Sequence, residues 1–509
     1  MTENEEITPS IDKPDEHWTL KNNAKDLPWL KKTKDQLDRT STSFCLAKWN
    51  QVTIHLANGT THSCHHCRVH KIPLEELKDN PSALHNTKEK KNTRKMMLNG
   101  ERPSECNFCW RVEDLNEPGL YSDRVKKSSN KWNDQTINTI PQMPWDTNIA
   151  PKYVELDFSS SCNFKCIYCS PSYSTTWAKE IREHGPYNVG ASVFNSTKAI
   201  AEDGGMPLEV DEDDNPYIQA FWKWLPDIIG NLRTLRVTGG EPLLSKNTFK
   251  LIDYLVEHPQ PECQFDINSN LGAPKQYIDK LIEGIKRIHN AKAASNITIF
   301  TSCEAQGARA EYIRNGLNYK YWLSNLDRIL TECPYIQISI MCTYNALSVT
   351  SFTGFLKDLL PLYHKHTVYG EMDGVYGRAN WFPINLDMPY LRHPQFLSAW
   401  ILTEDYLDYM DETIKFIEQN LAVFKVGEDG LRKMVKTGFA AYNAHDMRRV
   451  YGVMKNAIVN NIGRNNDVLV DRRGFHMFID EHDRRRGASF LGTFPEMAEF
   501  YHFCKTECA

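Results

Sequence analysis

The chain has little of what a secreted, membrane-spanning or nucleic-acid-wrapping protein needs. It contains no run of ~20 apolar residues, the length a helix takes to cross a bilayer, and no apolar stretch near its start that reads as a secretory leader. Positive charge is not in excess: 60 Lys and Arg face 65 Asp and Glu, for a formal net charge of −5. A strong grip on a phosphate backbone needs a basic face, so nucleic acid is not an expected partner. The run Arg484-Arg485-Arg486 reads as a solvated or paired helix face. Cysteine is sparse, 14 in 509 residues, which argues against a disulfide scaffold. Apolar residues at 41% and charged residues at 25% are an ordinary globular balance, enough for two or three domains or one large barrel with appendages.

What cysteine there is falls in groups. In ELDFSSSCNFKCIYCS, an apolar run ends in Cys162, Cys166 and Cys169. Three thiolates on one loop converge on an inorganic core and leave one corner unclaimed, whereas zinc sites take C-x2-C pairs that close a tetrahedron. Downstream, LRTLRVTGGEPLLS runs a short strand into Gly239-Gly240-Glu241-Pro242, where paired glycines allow close backbone approach. An exposed carbonyl edge and a carboxylate there suit an ammonium.

The two motifs together resemble the radical S-adenosylmethionine (SAM) superfamily. The resemblance implies a [4Fe-4S] cluster on Cys162, Cys166 and Cys169 with SAM as its fourth ligand. It also implies adenine near Tyr168, and the SAM amino group at the turn of Gly239, Gly240, Glu241 and Pro242. Ser269 after FDIN, Ser302 in FTSCEAQGARAEYIRNGL and Arg314 in EYIRNG are similar to the superfamily's SAM-contacting positions, Arg314 for the carboxylate because a guanidinium fork fits one. Simple turns, caps or a surface ion pair are the bland alternatives.

A second group lies earlier. The segment from Phe44 reads as a strand at 51–56, a turn at Asn58-Gly59 and a strand back toward Cys64, followed by a Lys-rich helical stretch near 74–97 and then by Cys106 and Cys109. The form C-x13-G-x4-C from Cys45 through Gly59 to Cys64, with NGERPSEC-x2-C, resembles the twitch and SPASM modules that bind an auxiliary [4Fe-4S] cluster, here placed before the barrel and not after it. One auxiliary cluster on Cys45, Cys64, Cys106 and Cys109 is expected. Cys67 competes with Cys45 or Cys64 for a place in the set, and the pairs Cys64/Cys67 and Cys106/Cys109 also match zinc spacing. His65, His66 and His70 read as surface residues.

From residue 151 strand-like and helical segments alternate, the pattern of parallel β/α units. Strands are expected at 153–158, 235–238, 263–267, 297–302, 336–342 and near 375–383, and helices at 217–229, 247–257, 276–288 and 319–331. Six units are too few to close an eight-stranded barrel, so the expected fold is α/β, a partial (β/α)6 barrel over 151–385. Residues 1–40 read as a loosely held arm, 41–115 as the auxiliary module, 116–150 as a linker and 386–509 as a helical extension. The stretch 183–214 reads as a surface excursion whose acidic run, 211–214, is a solvated helix start. Cys263, Cys303, Cys333 and Cys342 read as buried apolar residues, and Cys504 and Cys508 as terminal free thiols.

The expected activity is radical SAM chemistry, oxidation or cross-linking of a peptide or protein side chain, with a sugar or cyclitol-type dehydrogenase as the alternative. A non-catalytic metal-binding interaction protein is the reading from another class. The resemblance implies an electron donor such as flavodoxin or ferredoxin, and iron-bound thiolates imply a reducing, cytoplasmic setting.

Overall fold

Nine strands, most of them parallel, form one sheet: β1 (Gln51–His55), β2 (Thr60–His62), β3 (His70–Lys71), β4 (Tyr153–Asp157), β5 (Thr234–Thr238), β6 (Gln260–Asn268), β7 (Ala294–Ser302), β8 (Gln337–Met341) and β9 (Ile384–Asp387). The order across the sheet is β9-β8-β7-β6-β5-β4-β1-β2-β3. This computed structural model describes residues 6–7, 28–116, 120–190, 192–369, 380–420, 423–426, 432–436, 441–459 and 467–506. Among the described residues no helix is long and apolar enough to cross a membrane.

Strands β4 to β9 lie side by side in chain order and all run parallel. Their apolar residues, such as Val154, Leu156, Leu235, Val237, Ile338 and Ile340, are buried in the main core. Helices cover the sheet and carry the matching period: α8 (Lys275–Asn290) buries Ile278, Leu281, Ile282, Ile285 and Ile288, a stripe at three- and four-residue spacing. Asn215, Ser245 and Asn318 cap the helices α6 (Pro216–Ile228), α7 (Lys246–Glu257) and α9 (Tyr319–Glu332), supplying acceptors to otherwise unpaired N–H groups. The sixth parallel strand departs from expectation. Residues 375–379 lie outside the described ones, and the strand begins at Ile384, after Pro383, which has no N–H for a ladder.

The N-terminal cysteine region is not a separate body. Its strand β1 joins β4 in parallel, Gln51 opposite Tyr153 and His55 opposite Asp157, while β2 and β3 continue antiparallel. The expected Lys-rich helix breaks into Leu74–Asp79 and α2 (Lys88–Leu98), with Pro81 opening a short turn between them. Two boundaries also shift. The expected arm contains α1 (Pro28–Thr40), whose Leu30 and Leu37 are buried, and the expected linker contributes Val125, Ile137 and Ile140 to the same second core. Arg124, in α4 (Asp123–Ser128), ties them together by bonding the Phe44 carbonyl, Asp38 and Glu113.

Beyond Asp387 the expected helices are interrupted by a hairpin, Val423–Val426 with Arg432–Lys436, which Glu6–Ile7 extends. Helix α11 (Asp467–Arg486) packs on the 183–214 stretch, so that excursion is not wholly at the surface: Tyr187 is buried against Phe478, with the Arg485 guanidinium 3.9 Å from its ring. Arg486 is buried too, on Glu180 and over Trp177; only Arg484 of the triplet is exposed, and it pairs with Glu481. Of the acidic run only Glu212 turns inward, accepting from Ser245 and Asn247, while Asp211, Asp213 and Asp214 are exposed ahead of the helix that follows. Cys504 is buried, and Cys508 lies outside the described residues.

One glycine fastens the hairpin to the helical layer. Gly59 has φ +70° and faces the Tyr217 ring, which would lie 2.0 Å from an added Cβ, while the Tyr217 hydroxyl donates to the Ile72 carbonyl at 3.1 Å. Gly100, at φ +82°, has open space beside it. Gly100→Ala is expected to cost only backbone strain, about 1 kcal/mol, and Gly59→Ala roughly 2 kcal/mol or more because strain and overpacking add. Chemical denaturation of the two variants checks the difference, and equal midpoints would contradict the packing argument.

Candidate functional site

The loop carrying Cys162, Cys166 and Cys169 leaves the end of β4 and enters α5 (Thr175–His184). The helix start holds the loop. Ser174 and Thr176 both donate to the Phe164 carbonyl at 2.8 Å, and Trp177 Nε1 donates to the Cys166 carbonyl at 2.8 Å. On the other side Lys165 and Cys166 pair antiparallel with Arg314 and Asn315. None of the three thiols is in a disulfide. Burial pushes the Cys162 and Cys166 thiols up and the Cys169 thiol up to about 12, so thiolates form here only where a cation replaces the proton, as in metal ligation.

The glycine turn sits directly on that loop. Gly239, at φ +123°, lies where an added Cβ would meet the Ser159 carbonyl and Asp157 Cβ at 2.8 Å, and at Gly240 it would meet the Ser161 carbonyl at 2.4 Å. Backbone bonds close the contact: Gly240 N to the Ser159 carbonyl at 3.1 Å and Glu241 N to the Ser161 carbonyl at 2.7 Å. Pro242 begins a short turn behind them.

Three residues expected to contact SAM, Glu241, Ser269 and Arg314, are engaged within the protein. The Glu241 carboxylate is buried and accepts from Ser269 Oγ at 2.8 Å, Asn270 N at 2.6 Å and Leu243 N at 3.1 Å. It fastens the turn to the end of β6, and the Ser269 hydroxyl serves that bond. Asn270 Nδ2 reaches Asn163 at 2.8 Å and lies 3.9 Å from Cys162 Sγ, so one polar chain runs from Glu241 to the cysteine loop. Arg314 is buried on Glu304, with Nε at 3.0 Å, and touches the Tyr168 hydroxyl. Its Nη1 lies 3.7 Å from Cys166 Sγ. Glu304 also accepts from Tyr168 at 3.0 Å. Ser302 ends β7, opposite Met341.

The N-terminal region brings together all five cysteines that the spacing put forward. Cys45, Cys106 and Cys109 are buried in one core with Cys67 packed against it. Cys67 and Cys106 sulfurs are 3.8 Å apart. Thiol hydrogen bonds from Cys106 and Cys64 hold Cys67 far below the usual thiol range. Among the described residues no three His, Cys, Asp or Glu side chains converge on a point as a single ion would require; a polynuclear iron-sulfur group takes thiolates distributed around it.

Between the two cysteine groups opens a cavity of about 530 Å³. Gly239 and Tyr173 border it from the SAM-motif side, Cys67 and His62 from the other, and Arg236 and His55 from the sheet. His55 Nδ1 lies 2.6 Å from Asp157 Oδ2, whose other oxygen accepts from Ala57 N at 3.1 Å. Burial opposes the imidazolium, yet the Asp157 bond holds the His55 pKa above its ordinary value, whereas burial takes His62 down to about 4. Spacing did not reveal His55 and Asp157, which come together only through strand register, or Glu304, which meets Arg314 and Tyr168 only once the segment after β7 folds onto the cysteine loop.

No protein-family model matches the chain. Among curated proteins it is similar to a GTP 3′,8-cyclase of Campylobacter lari, 26% identical over 141 residues, which are 27% of this chain and 33% of that enzyme. The chain thus spans about a third of the length of the relative it matches. The likeness supports the superfamily that the cysteine spacing resembles.

Burial raises the Glu241 pKa from its ordinary 4.5 to about 7, although its three donors act the other way. The folded state then binds this proton more tightly than the unfolded chain, so its contribution to stability is full below about 4.5 and is lost as pH rises to about 7. Melting curves across that window should therefore flatten in Glu241→Gln relative to wild type. Identical pH slopes would show that the carboxylate is not buried as described.

Proposed function

We propose that the protein is a radical SAM enzyme whose partial (β/α)6 barrel, residues 151–385, is joined at β4 to a twitch-like module carrying one auxiliary [4Fe-4S] cluster. The observation that carries the reading is the start of the cysteine loop, Ser159 and Ser161, bonded backbone to backbone to Gly240 and Glu241 beside a cavity that Tyr173, Gly239 and Cys67 border. When bound, the cluster and SAM supply a 5′-deoxyadenosyl radical able to take a hydrogen atom from an unactivated carbon.

The protein's own groups do the rest. Carbonyls of Gly239 and Gly240 offer the acceptors for an ammonium, since the Glu241 side chain is occupied by Ser269, Asn270 and Leu243. Tyr168 stays beside Arg314 and Glu304, where it walls the nucleoside side of the loop. In the cavity, Asp157 fixes the His55 ring through Nδ1, leaving Nε2 to take a proton from a substrate hydroxyl or amine. A space of about 530 Å³ lined by His55, His62, Arg236 and Asn268 fits one polar side chain of a peptide or one small polar metabolite. That size favours oxidation at a single hydrogen-bearing centre over joining two large chains.

Anaerobic reconstitution with iron and sulfide should load about eight irons per chain, two clusters. The reduced protein should convert SAM to 5′-deoxyadenosine, and Cys166→Ala should abolish this; a loaded protein that makes none would overturn the reading. With a compound that accelerates deoxyadenosine release, His55→Gln should lower product formation by roughly 10²-fold or more. The uncoupled cleavage of SAM should stay near the wild-type rate in that variant, which separates a proton acceptor from a residue that holds the cluster.

A further inference from the structure

The N-terminal cysteines are surrounded by buried cations. Lys48 is almost wholly enclosed, and its Nζ lies 3.4 Å from Cys67 Sγ while pairing with Glu105. Lys90, also buried, gives its ammonium to the neutral Thr61 hydroxyl at 2.7 Å. Arg94 is fully buried on neutral acceptors, the Lys48 carbonyl at 2.9 Å and Asn86 Oδ1 at 2.8 Å. Cations taken out of water are costly unless an opposite charge stands near. Here Glu105 answers one of the three, so the remaining positive charge favours an anionic group held by the thiols. Burial pushes the Lys90 and Arg94 pKa values down, a cost of holding both charged that an anionic group at the thiols would offset.

We infer that Lys48 is a positioning residue that donates a hydrogen bond to a metal-bound Cys67 thiolate and raises the reduction potential of the iron-sulfur cluster held by the N-terminal cysteines. The inference rests on the auxiliary cluster of the proposed function. Its physical basis is that each electron added to a thiolate-ligated cluster adds negative charge, and a fixed ammonium at a ligand sulfur stabilises the more negative state. Cys67, the thiol that receives this donor, also borders the cavity beside His55 and Gly239. The ligand sulfur that would receive this donor is therefore one that faces the cavity.

The full chain carrying Cys162→Ala, Cys166→Ala and Cys169→Ala isolates the N-terminal site. After reconstitution it should hold about four irons, and spectroscopic redox titration should give a lower midpoint when Lys48→Met is added. A tenfold weaker preference for the reduced state corresponds to a fall of about 59 mV for one electron. If Lys48→Met does not retain a cluster, the Lys48-intact protein labelled with 15N-lysine answers alone: the reduced cluster should show hyperfine coupling to one lysine nitrogen by pulsed electron paramagnetic resonance. An unchanged midpoint, the absence of that coupling, or zinc in place of iron would overturn the inference. Such failures remain distinct from failure of the SAM reading, which is scored separately by deoxyadenosine formation in the protein with Cys162, Cys166 and Cys169 intact.

Discussion

Everything at the candidate site depends on two backbones lying against each other. Ser159 and Ser161 give their carbonyls to Gly240 and Glu241, and no side chain larger than hydrogen fits at either glycine. That contact fixes the start of the cysteine loop relative to the end of β5, and the buried Glu241 carboxylate extends the same fastening to β6 through Ser269 and Asn270. Three neighbouring strand ends thereby become one rigid rim. A cofactor spanning the loop and the turn meets a surface already organised, with little ordering cost at binding.

The two cysteine groups sit in opposite electrostatic settings. Around Cys162, Cys166 and Cys169 the formal charges balance locally, Arg314 against Glu304, and burial holds the thiols protonated until a metal displaces the proton. Around Cys45, Cys64, Cys67, Cys106 and Cys109 the balance is cationic, with Lys48, Lys90 and Arg94 enclosed and Glu105 answering Lys48. A cationic surround favours electron arrival and a balanced one does not. In the proposed function that asymmetry would suit one cluster that gives an electron and another that receives one.

Much of this was legible in the sequence where chemistry and local periodicity coincide. Strands β4 to β8 and helices α6 to α9 fall close to their expected positions because each carries a clean apolar pattern ended by a cap or a proline. The cysteine loop and the glycine turn were readable because their spacing is short. What stayed hidden depends on register. The acceptor pair of His55 and Asp157 exists because β1 docks beside β4 with those residues opposite each other, and no feature within either strand announces its partner. Arg314 and Glu241 carry charges that suit a ligand, and their partners within the protein, Glu304 and Ser269, lie ten or more residues away, where spacing does not announce them. The folded segments within 28–40 and 120–140 were masked by polar composition, since Leu30, Leu37, Val125 and Ile140 are few but fall on buried faces.

The addition of β1 to the parallel sheet also places the N-terminal cysteine region ahead of the parallel strands without leaving it loosely tethered to them. A module joined through a linker would leave the distance between its cysteines and the cavity to thermal motion. Here five consecutive residues, 51 to 55, are in register with β4, and Lys152 N bonds the Asn50 carbonyl at 2.8 Å just before the strands begin. The neighbouring strand then carries the cysteine loop out at its far end. The cysteine loop follows β4, and Cys45 lies a few residues before β1, its neighbour in the sheet, so the two are referred to each other by strand pairing, among the least deformable relations a protein backbone offers. For the proposed function, in which single electrons would pass between two bound clusters, that rigidity is what the chemistry would require, and it follows from the Gln51–His55 ladder.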